Sequence, residues 1–257
     1  MADPAVPEPA IEIENVAQVF GSRTVFQGVS ATIGRGEIFV ILGGSGCGKS
    51  TLLRQIVGLL PPSVGRIRVL GHDMYGQSPQ AGGDVLRRIG VMFQAGALFG
   101  SLTLLENVML PLQVHTDLPD EACAQVAMVK LALVGLGDFA GAMPAEISGG
   151  MAKRAAIARA LALDPPVLFL DEPSAGLDPI TSAGLDRLIL DLKRDLGTTF
   201  VVVTHELASI LAIADRCLML DRAARGVIAA GDPRVLREAS AHPTVRAFFR
   251  RQPQEGA

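Results

Sequence analysis

Eight consecutive residues, Gly43, Gly44, Ser45, Gly46, Cys47, Gly48, Lys49 and Ser50, match the pattern G-x-x-x-x-G-K-[ST] at every fixed position. Glycines at this density let backbone N–H groups turn inward around phosphate oxygens, and a helix starting near Lys49 would aim its positive end at the same place. The guest that fits is a nucleoside triphosphate. Lys49 would reach the β and γ phosphates, the Ser50 hydroxyl would ligate Mg²⁺, and Thr51 would add a phosphate contact. Further along, four apolar residues at 167–170 close on two acids, Asp171 and Glu172. Asp171 would hold Mg²⁺, directly or through water, and Glu172 would act as the general base that polarises the attacking water. Taken singly, an acidic strand end is an ordinary feature, whereas the full glycine-loop pattern is not explained by a flexible turn. Together they point to triphosphate cleavage.

Both clusters need elements that deliver them to one place. Residues 38–42 form a short apolar run bounded by glycines, followed by a helical pattern over 49–58, which predicts a buried strand feeding a helix. Strands are predicted again at 66–70, 167–170 and 200–203, with a helix over 182–196 between the last two. That alternation implies a parallel, doubly wound sheet whose ligands bind at the C-terminal strand ends. Residues 11–19 and 25–33 are rich in β-branched side chains and separated by Gly21, Ser22 and Arg23, which predicts an antiparallel pair. Residues 73–84 read as a surface loop. From 103 to 134 the patterns are helical and interrupted by Pro111 and Pro119, and a helix of small and basic residues follows Ser148 to about 162. Two short strands within 217–228 and a final helix over 245–251 complete the expected order. The domain plan is a flexible tail at 1–10, one domain over 11–240 with a helical subdomain at about 95–162, and a C-terminal helix and tail over 241–257.

Composition narrows the classes. A chain of 257 residues with 49% apolar and 19% charged residues is too apolar for a disordered polymer and long enough to bury a sizeable core. The balance of 23 basic against 26 acidic residues gives a net charge of -3, so no bulk positive field marks a nucleic-acid partner. Only 4 lysines stand against 19 arginines, which makes each lysine position informative. Cys47, Cys123 and Cys217 form no CxxC pair and are odd in number, which favours a reducing compartment. No apolar run reaches the roughly 18–20 residues that cross a bilayer. Residues 1–10 carry three prolines and two acids in place of a basic-then-apolar signal, so the expectation is a cytosolic protein.

Ile147, Ser148, Gly149, Gly150 and Met151, leading into Ala152, Lys153 and Arg154, resemble the signature loop of ATP-binding-cassette transporter ATPases, and Gln94 and His205 fall where that family has its Q-loop and switch histidine. The likeness runs from about residue 11 to 231 and carries six motifs in order. It implies a P-loop NTPase core with a mixed, mostly parallel sheet, an antiparallel β subdomain and an inserted α-helical subdomain. It also implies ATP and Mg²⁺ as ligands and a second copy of the chain as partner, because such ATPases sandwich two ATP molecules between subunits. Ser148, Gly149 and Gly150 would then meet the γ-phosphate held by the partner, and Asp178 would lie in the loop that crosses the dimer seam. His205 would contact the γ-phosphate and help Glu172 place the water. Gln94 would sense Mg²⁺ and the attacking water, and Phe20 would stack on adenine. The signature departs from the usual pattern at Met151, where Gln is common; a thioether cannot replace the hydrogen bonds of an amide.

Met151 and the following basic residues, with Gln94, Ala95, Gly96, Ala97, Leu98, Phe99 and Glu106, Asn107, Val108, are most similar to the ATPase subunits of mammalian-cell-entry and maintenance-of-lipid-asymmetry lipid transporters. That resemblance implies a subunit on the inner face of the cytoplasmic membrane, held there by an integral-membrane permease, with a small regulatory subunit and an MCE-type lipid-binding protein as further partners. The permease would contact residues 94–112, where Ala97, Leu98 and Phe99 are apolar in a predicted loop. Alternatives are an ATPase for polar amino-acid or small-solute import, and a cytosolic nucleotide switch acting on nucleic acid or the ribosome. The single cassette and the acidic balance weigh against the switch. Val245, Phe248 and Phe249 make one apolar stripe on the last helix, suited to closing over the protein's own core or to docking on a second subunit.

Overall fold

The computed structural model describes residues 9–76, 84–94 and 97–251. Alternating burial sets its first layer. β1 (Ile11–Phe20) and β2 (Arg23–Ile33) pair antiparallel across a turn at Gly21 and Ser22, and β4 (Val64–Val69) and the short β5 (His72–Asp73) extend them in the order β2-β1-β4-β5. Ala10, expected in the tail, is buried here: its N–H donates to the Ile33 carbonyl at 2.8 Å and its carbonyl accepts from the Leu70 N–H at 2.8 Å. The rest of the predicted loop at 73–84 falls mainly on 77–83, outside the described residues, as do 1–8 of the tail.

The second sheet runs β10-β9-β3-β8-β7-β6, with β3 (Ile38–Gly43), β6 (Ile89–Met92), β7 (Val167–Asp171), β8 (Thr199–Val203) and β9 (Arg216–Asp221) parallel and β10 (Gly226–Gly231) antiparallel at one edge. β3, β7 and β8 are buried on both faces, as continuous apolar runs require. Their period of two divides the core. Val40, Leu170 and Val202 face one cluster with the helical lobe, while Phe39, Phe169 and Val203 face the other with β1, β2 and α1 (Lys49–Ile56). Each such side chain, fully buried, contributes about 1.5–3 kcal/mol relative to exposure.

The inserted helices are α2 (Leu104–His115), α3 (Asp120–Leu133) and α4 (Gly149–Ala160). Pro119 stands between α2 and α3, an interruption as expected, but Pro111 lies inside α2 and does not interrupt it. A capping box between Thr103 and Glu106 anchors the first turn, and Leu104, Val108 and Leu112 are buried in the core, so packing outweighs the one backbone bond proline removes. α5 (Pro179–Leu196) joins β7 to β8. The short α6 (Leu207–Ile213) and α7 (Pro233–Ala239) were not expected from the sequence, and α8 (Pro243–Arg250) ends the described chain. Val245 and Phe249 of α8 are buried and Phe248 meets Phe249 edge-on with centroids 5.4 Å apart, so the stripe closes over the core of its own chain. No helix among the described residues is long and apolar enough to cross a membrane.

Candidate functional site

Three parallel strands bring the reactive residues to one edge. β3 ends at Gly43, β7 at Asp171 and β8 at Val203, with Asp171 and Val203 in register and the Glu172 N–H donating to the Val203 carbonyl at 2.8 Å. Gly43 has φ +147, and a Cβ there would lie 2.2 Å from the Leu220 carbonyl oxygen of neighbouring β9, so only glycine lets the chain leave the sheet at this point. Gly48 precedes α1 at φ +103, where a Cβ would press on the Phe26 ring at 2.7 Å. Gly44, Ser45 and Gly46 are exposed at the loop's tip. Cys47 is buried, and burial pushes its thiol above the ordinary value, with Lys49 pulling the other way; it can offer a ligand its backbone but not its sulfur. All three cysteines are free and buried.

Lys49 Nζ donates to the carbonyls of Gly43 at 2.9 Å and Gly44 at 3.1 Å, which folds the ammonium back over the loop. A pocket of about 310 Å³ opens beside it, lined by Gly46, Gly48, Lys49, Ser50 and Thr51 together with Phe20, Val25 and Arg23. Phe20 is 51% exposed, a large apolar surface for a strand end. Arg23 pairs opposite Phe20 across the β1–β2 turn. The sequence reading missed Arg23, although the turn at Gly21 and Ser22 places it there.

The acids lie deeper. Asp171 and Glu172 are both buried, and Asp171 Oδ1 and Glu172 Oε2 have no hydrogen-bond partner among the described residues. Burial, followed by the neighbouring Glu172, pushes the Asp171 carboxyl above the usual aspartate range, while Arg54, Lys49 and Lys153 pull it down. Glu172 has φ +49, a left-handed backbone that costs a non-glycine residue about 1–3 kcal/mol. Its Oε1 lies 2.8 Å from His205 Nδ1. With Glu172 ionised, that contact requires the proton on Nδ1 and leaves Nε2 of the largely exposed ring available. Gln94 is exposed, with its main-chain carbonyl accepting from Lys153. Carboxylate oxygens are hard donors, and the unpartnered buried oxygen of Asp171, with the Glu172 carboxylate as its neighbour in sequence, is of the kind that suits a Mg²⁺ ion.

The signature-like residues are elsewhere. Ser148 caps α4, its Oγ accepting from the Met151 N–H at 3.3 Å, and Ser148 and Gly149 are exposed. Gly150 is buried against α5, where a Cβ would lie 2.4 Å from Thr181 Cγ2. Asp178 caps α5, accepting from the Ile180 and Thr181 N–H groups at 3.0 Å, and is exposed. None of Ser148, Gly149, Gly150 or Asp178 lines the pocket at Lys49. The structure therefore brings together Phe20, the glycine loop, Lys49, Ser50 and Thr51, and pairs Glu172 with His205, but leaves the signature residues on another surface. Met151 is half-buried and packs on the core, so its thioether serves the fold.

In the predicted contact segment, Ala95 and Gly96 lie outside the described residues. Leu98 packs against the core, contrary to its expected exposure, whereas Phe99 is 51% exposed. Buried Asn107, named from the sequence for its family likeness alone, holds Phe99 in place: its Oδ1 accepts from the Phe99 N–H at 2.8 Å and its Nδ2 donates to the Phe99 carbonyl at 3.1 Å. A larger groove of about 600 Å³ runs beside His205 between α5, α6 and α8.

Residues 26–175 match the family model described as ABC transporter. The intermembrane phospholipid transport system ATP-binding protein MlaF of Escherichia coli K12 is 42% identical over 239 residues, 93% of this chain and 88% of that protein. The probable ribonucleotide transport ATP-binding protein mkl of Mycobacterium tuberculosis is 41% identical over 240 residues, 93% of this chain; the chain spans 66% of that relative's length. Among solved structures, a dimeric ATP-binding cassette in a post-hydrolysis state with ADP and Pi superposes with a TM-score of 0.77 at 31% identity, covering 86% of this chain and 98% of that one.

Proposed function

The chain belongs to the ABC transporter family, and from that premise we propose that it is the ATP-hydrolysing subunit of a transporter that moves phospholipid between membranes. The observation that carries the enzymatic part is the Glu172–His205 contact of 2.8 Å, set where the strands behind the phosphate loop end.

Adenine stacks on Phe20, and the amides of the loop from Gly43 to Thr51 with the Lys49 ammonium take the phosphates. On binding, Lys49 exchanges the carbonyls of Gly43 and Gly44 for phosphate oxygens. Ser50, Asp171 and Gln94 would hold Mg²⁺, which would supply charge neutralisation of the phosphates. Glu172 takes the proton of the attacking water on Oε2, and His205 fixes the carboxylate through Oε1 while Nε2 faces the γ-phosphate. Ser148, Gly149, Gly150 and Asp178 act on the nucleotide held by a second copy; none of them lines the Lys49 pocket, and the exposure of Ser148, Gly149 and Asp178 supports that division. ATP closes this dimer and hydrolysis reopens it.

The permease contacts the segment around exposed Phe99, which keeps the chain on the inner face of the cytoplasmic membrane, with a regulatory subunit and an MCE-type lipid-binding protein in the same assembly. The name of the E. coli relative and the shared stretch around Met151 and Phe99 support a phospholipid cargo. The mycobacterial name supports a second reading, a ribonucleotide cargo. The purified transporter decides: phospholipid transfer between vesicles that requires ATP supports the first, and ATP-dependent ribonucleotide uptake the second.

Glu172→Gln tests the chemistry. Turnover should fall by about 100- to 10,000-fold while an ATP-bound dimer accumulates in size-exclusion chromatography. Wild-type turnover in this variant refutes the assignment.

A further inference from the structure

The lysines are Lys49, Lys130, Lys153 and Lys193. Lys49 belongs to the phosphate loop, while Lys130 pairs with Asp164 at 2.5 Å and Lys193 with Asp215 at 2.6 Å, tying elements together. Lys153 differs. From the second turn of α4 its ammonium donates to the main-chain carbonyl of Gln94, 59 residues earlier in the chain. The side chain is half-buried, and β6 and β7, in parallel register at Met92 and Leu170, bring Gln94 to the strand edge where Asp171 and Glu172 follow. Both acids keep an unpartnered buried oxygen.

We infer that Lys153 is a positioning residue for hydrolysis, its ammonium holding the Gln94 backbone beside the Asp171–Glu172 pair so that Gln94 and both acids keep one arrangement for the cleavage step. This rests on the ATP-hydrolysis reading and extends it to a residue on the far side of the signature loop. An ammonium suits the task because it brings several donors and a charge that offsets two poorly solvated carboxylates, whereas a neutral side chain brings at most the donors.

The same helix holds the other end of the segment. Arg159 donates to the Ala97 carbonyl at 2.8 Å and its guanidinium lies 5.8 Å from the Phe99 ring centre. α4 thus grips Gln94, Ala97 and Phe99 at once, and its own first turn is capped by Ser148. Lys153 itself lines no part of the pocket at Lys49, so its loss acts on the cleavage step more than on nucleotide capture.

Lys153→Met, Lys153→Gln and Lys153→Arg, measured beside Glu172→Gln, test this in the full chain. Lys153→Met and Lys153→Gln should lower kcat by about 10- to 100-fold, the scale of one lost charge-assisted contact. KM for ATP, and Kd for a non-hydrolysable ATP analogue, should move less than about 3-fold. Lys153→Arg, which keeps the charge and the donors, should return kcat to within about 3-fold of wild type. Hydrogen exchange of the nucleotide-free protein gives a readout apart from turnover: amides at Ala97 and Leu98 should exchange faster in the neutral variants and return to the wild-type rate in Lys153→Arg. Wild-type kcat in both neutral variants while Glu172→Gln is inactive overturns the inference alone, as does a loss confined to KM, or an arginine variant no better than the neutral ones. Full turnover in Glu172→Gln overturns the hydrolysis reading and this inference with it.

Discussion

Replacing Phe20 by alanine separates recognition of the base from recognition of the phosphates. The ring is 51% exposed and belongs to neither core cluster, so the fold depends on it weakly. With roughly half of a phenylalanine's ~200 Å² of surface covered, at about 25 cal/mol per Å², the stability loss is bounded at about 2.5 kcal/mol, and a compact unfolded state lowers that figure. A base stacked on an aromatic side chain is worth about 1–3 kcal/mol by alanine substitution. At about 1.4 kcal/mol per decade, Kd for ATP should rise about 5- to 150-fold. Inorganic tripolyphosphate has no base to stack, and Lys49 with the glycine loop is untouched, so its affinity should stay within about 2-fold of wild type. Titration calorimetry with each ligand and Mg²⁺, on wild type, Phe20→Ala and Phe20→Trp, measures the ratio of the two affinities. That ratio should collapse in the alanine variant and recover in the tryptophan variant. If ATP binds Phe20→Ala at wild-type affinity, or both ligands weaken equally, the ring is not a base platform.

Gly150→Ala would put a Cβ 2.4 Å from Thr181 Cγ2, and Thr181 is itself bonded to Asp178 through a 2.5 Å hydroxyl contact, so relief of the clash displaces the cap of α5. A loss of about 1–3 kcal/mol in urea unfolding is expected, with weakened ATP-driven dimerisation; unchanged values in both would show that the two loops are not packed as one unit. Burial pushes the Asp186 carboxyl above the ordinary aspartate value and Glu206 adds to the shift. The native state therefore holds that proton more tightly than the unfolded chain, and stability falls as pH rises from the ordinary aspartate value through the raised native one, then levels. Asp186→Asn removes that descent, so the difference between the two proteins' stabilities should grow as pH rises above the ordinary aspartate value of about 4 and then level, and parallel curves would refute the assignment.

The phosphate loop was legible because its backbone demands are severe: at Gly43 and Gly48 any Cβ meets a carbonyl or a ring, so the residue types record the geometry. The acid pair was legible because a strand buried on both faces must be apolar until the chain reaches the edge where ligands bind. Less was readable where packing overrode a local signal, as at Pro111, whose helix is held by buried Leu104, Val108 and Leu112. α7 did carry a readable start, Asp232 accepting from the Arg234 N–H at 2.8 Å with Pro233 in the first turn, but α6 has no side-chain cap to announce it. The contacts made by Asn107, Lys153 and Arg159 were not legible for another reason. The last two work by meeting residues 59 and 62 positions away, a relation no local spacing contains.

Burial divides the proposed site in a way that bears on its mechanism. The acids that would act on water are enclosed, with unpartnered oxygens and, at Glu172, a left-handed backbone, so the fold sustains an arrangement that its own stability opposes. The groups proposed to act on a second copy's nucleotide, Ser148, Gly149 and Asp178, are exposed, and the Ser148 and Asp178 side chains already serve as helix caps. A cap fixes the orientation of a helix N-terminus, whose amide dipoles favour an incoming anion. One half is thus prepared before the partner arrives and the other is held rigid for delivery. Gly150 packs the two exposed loops against each other, so in the proposed dimer they would approach the partner's phosphates as one body and withdraw as one.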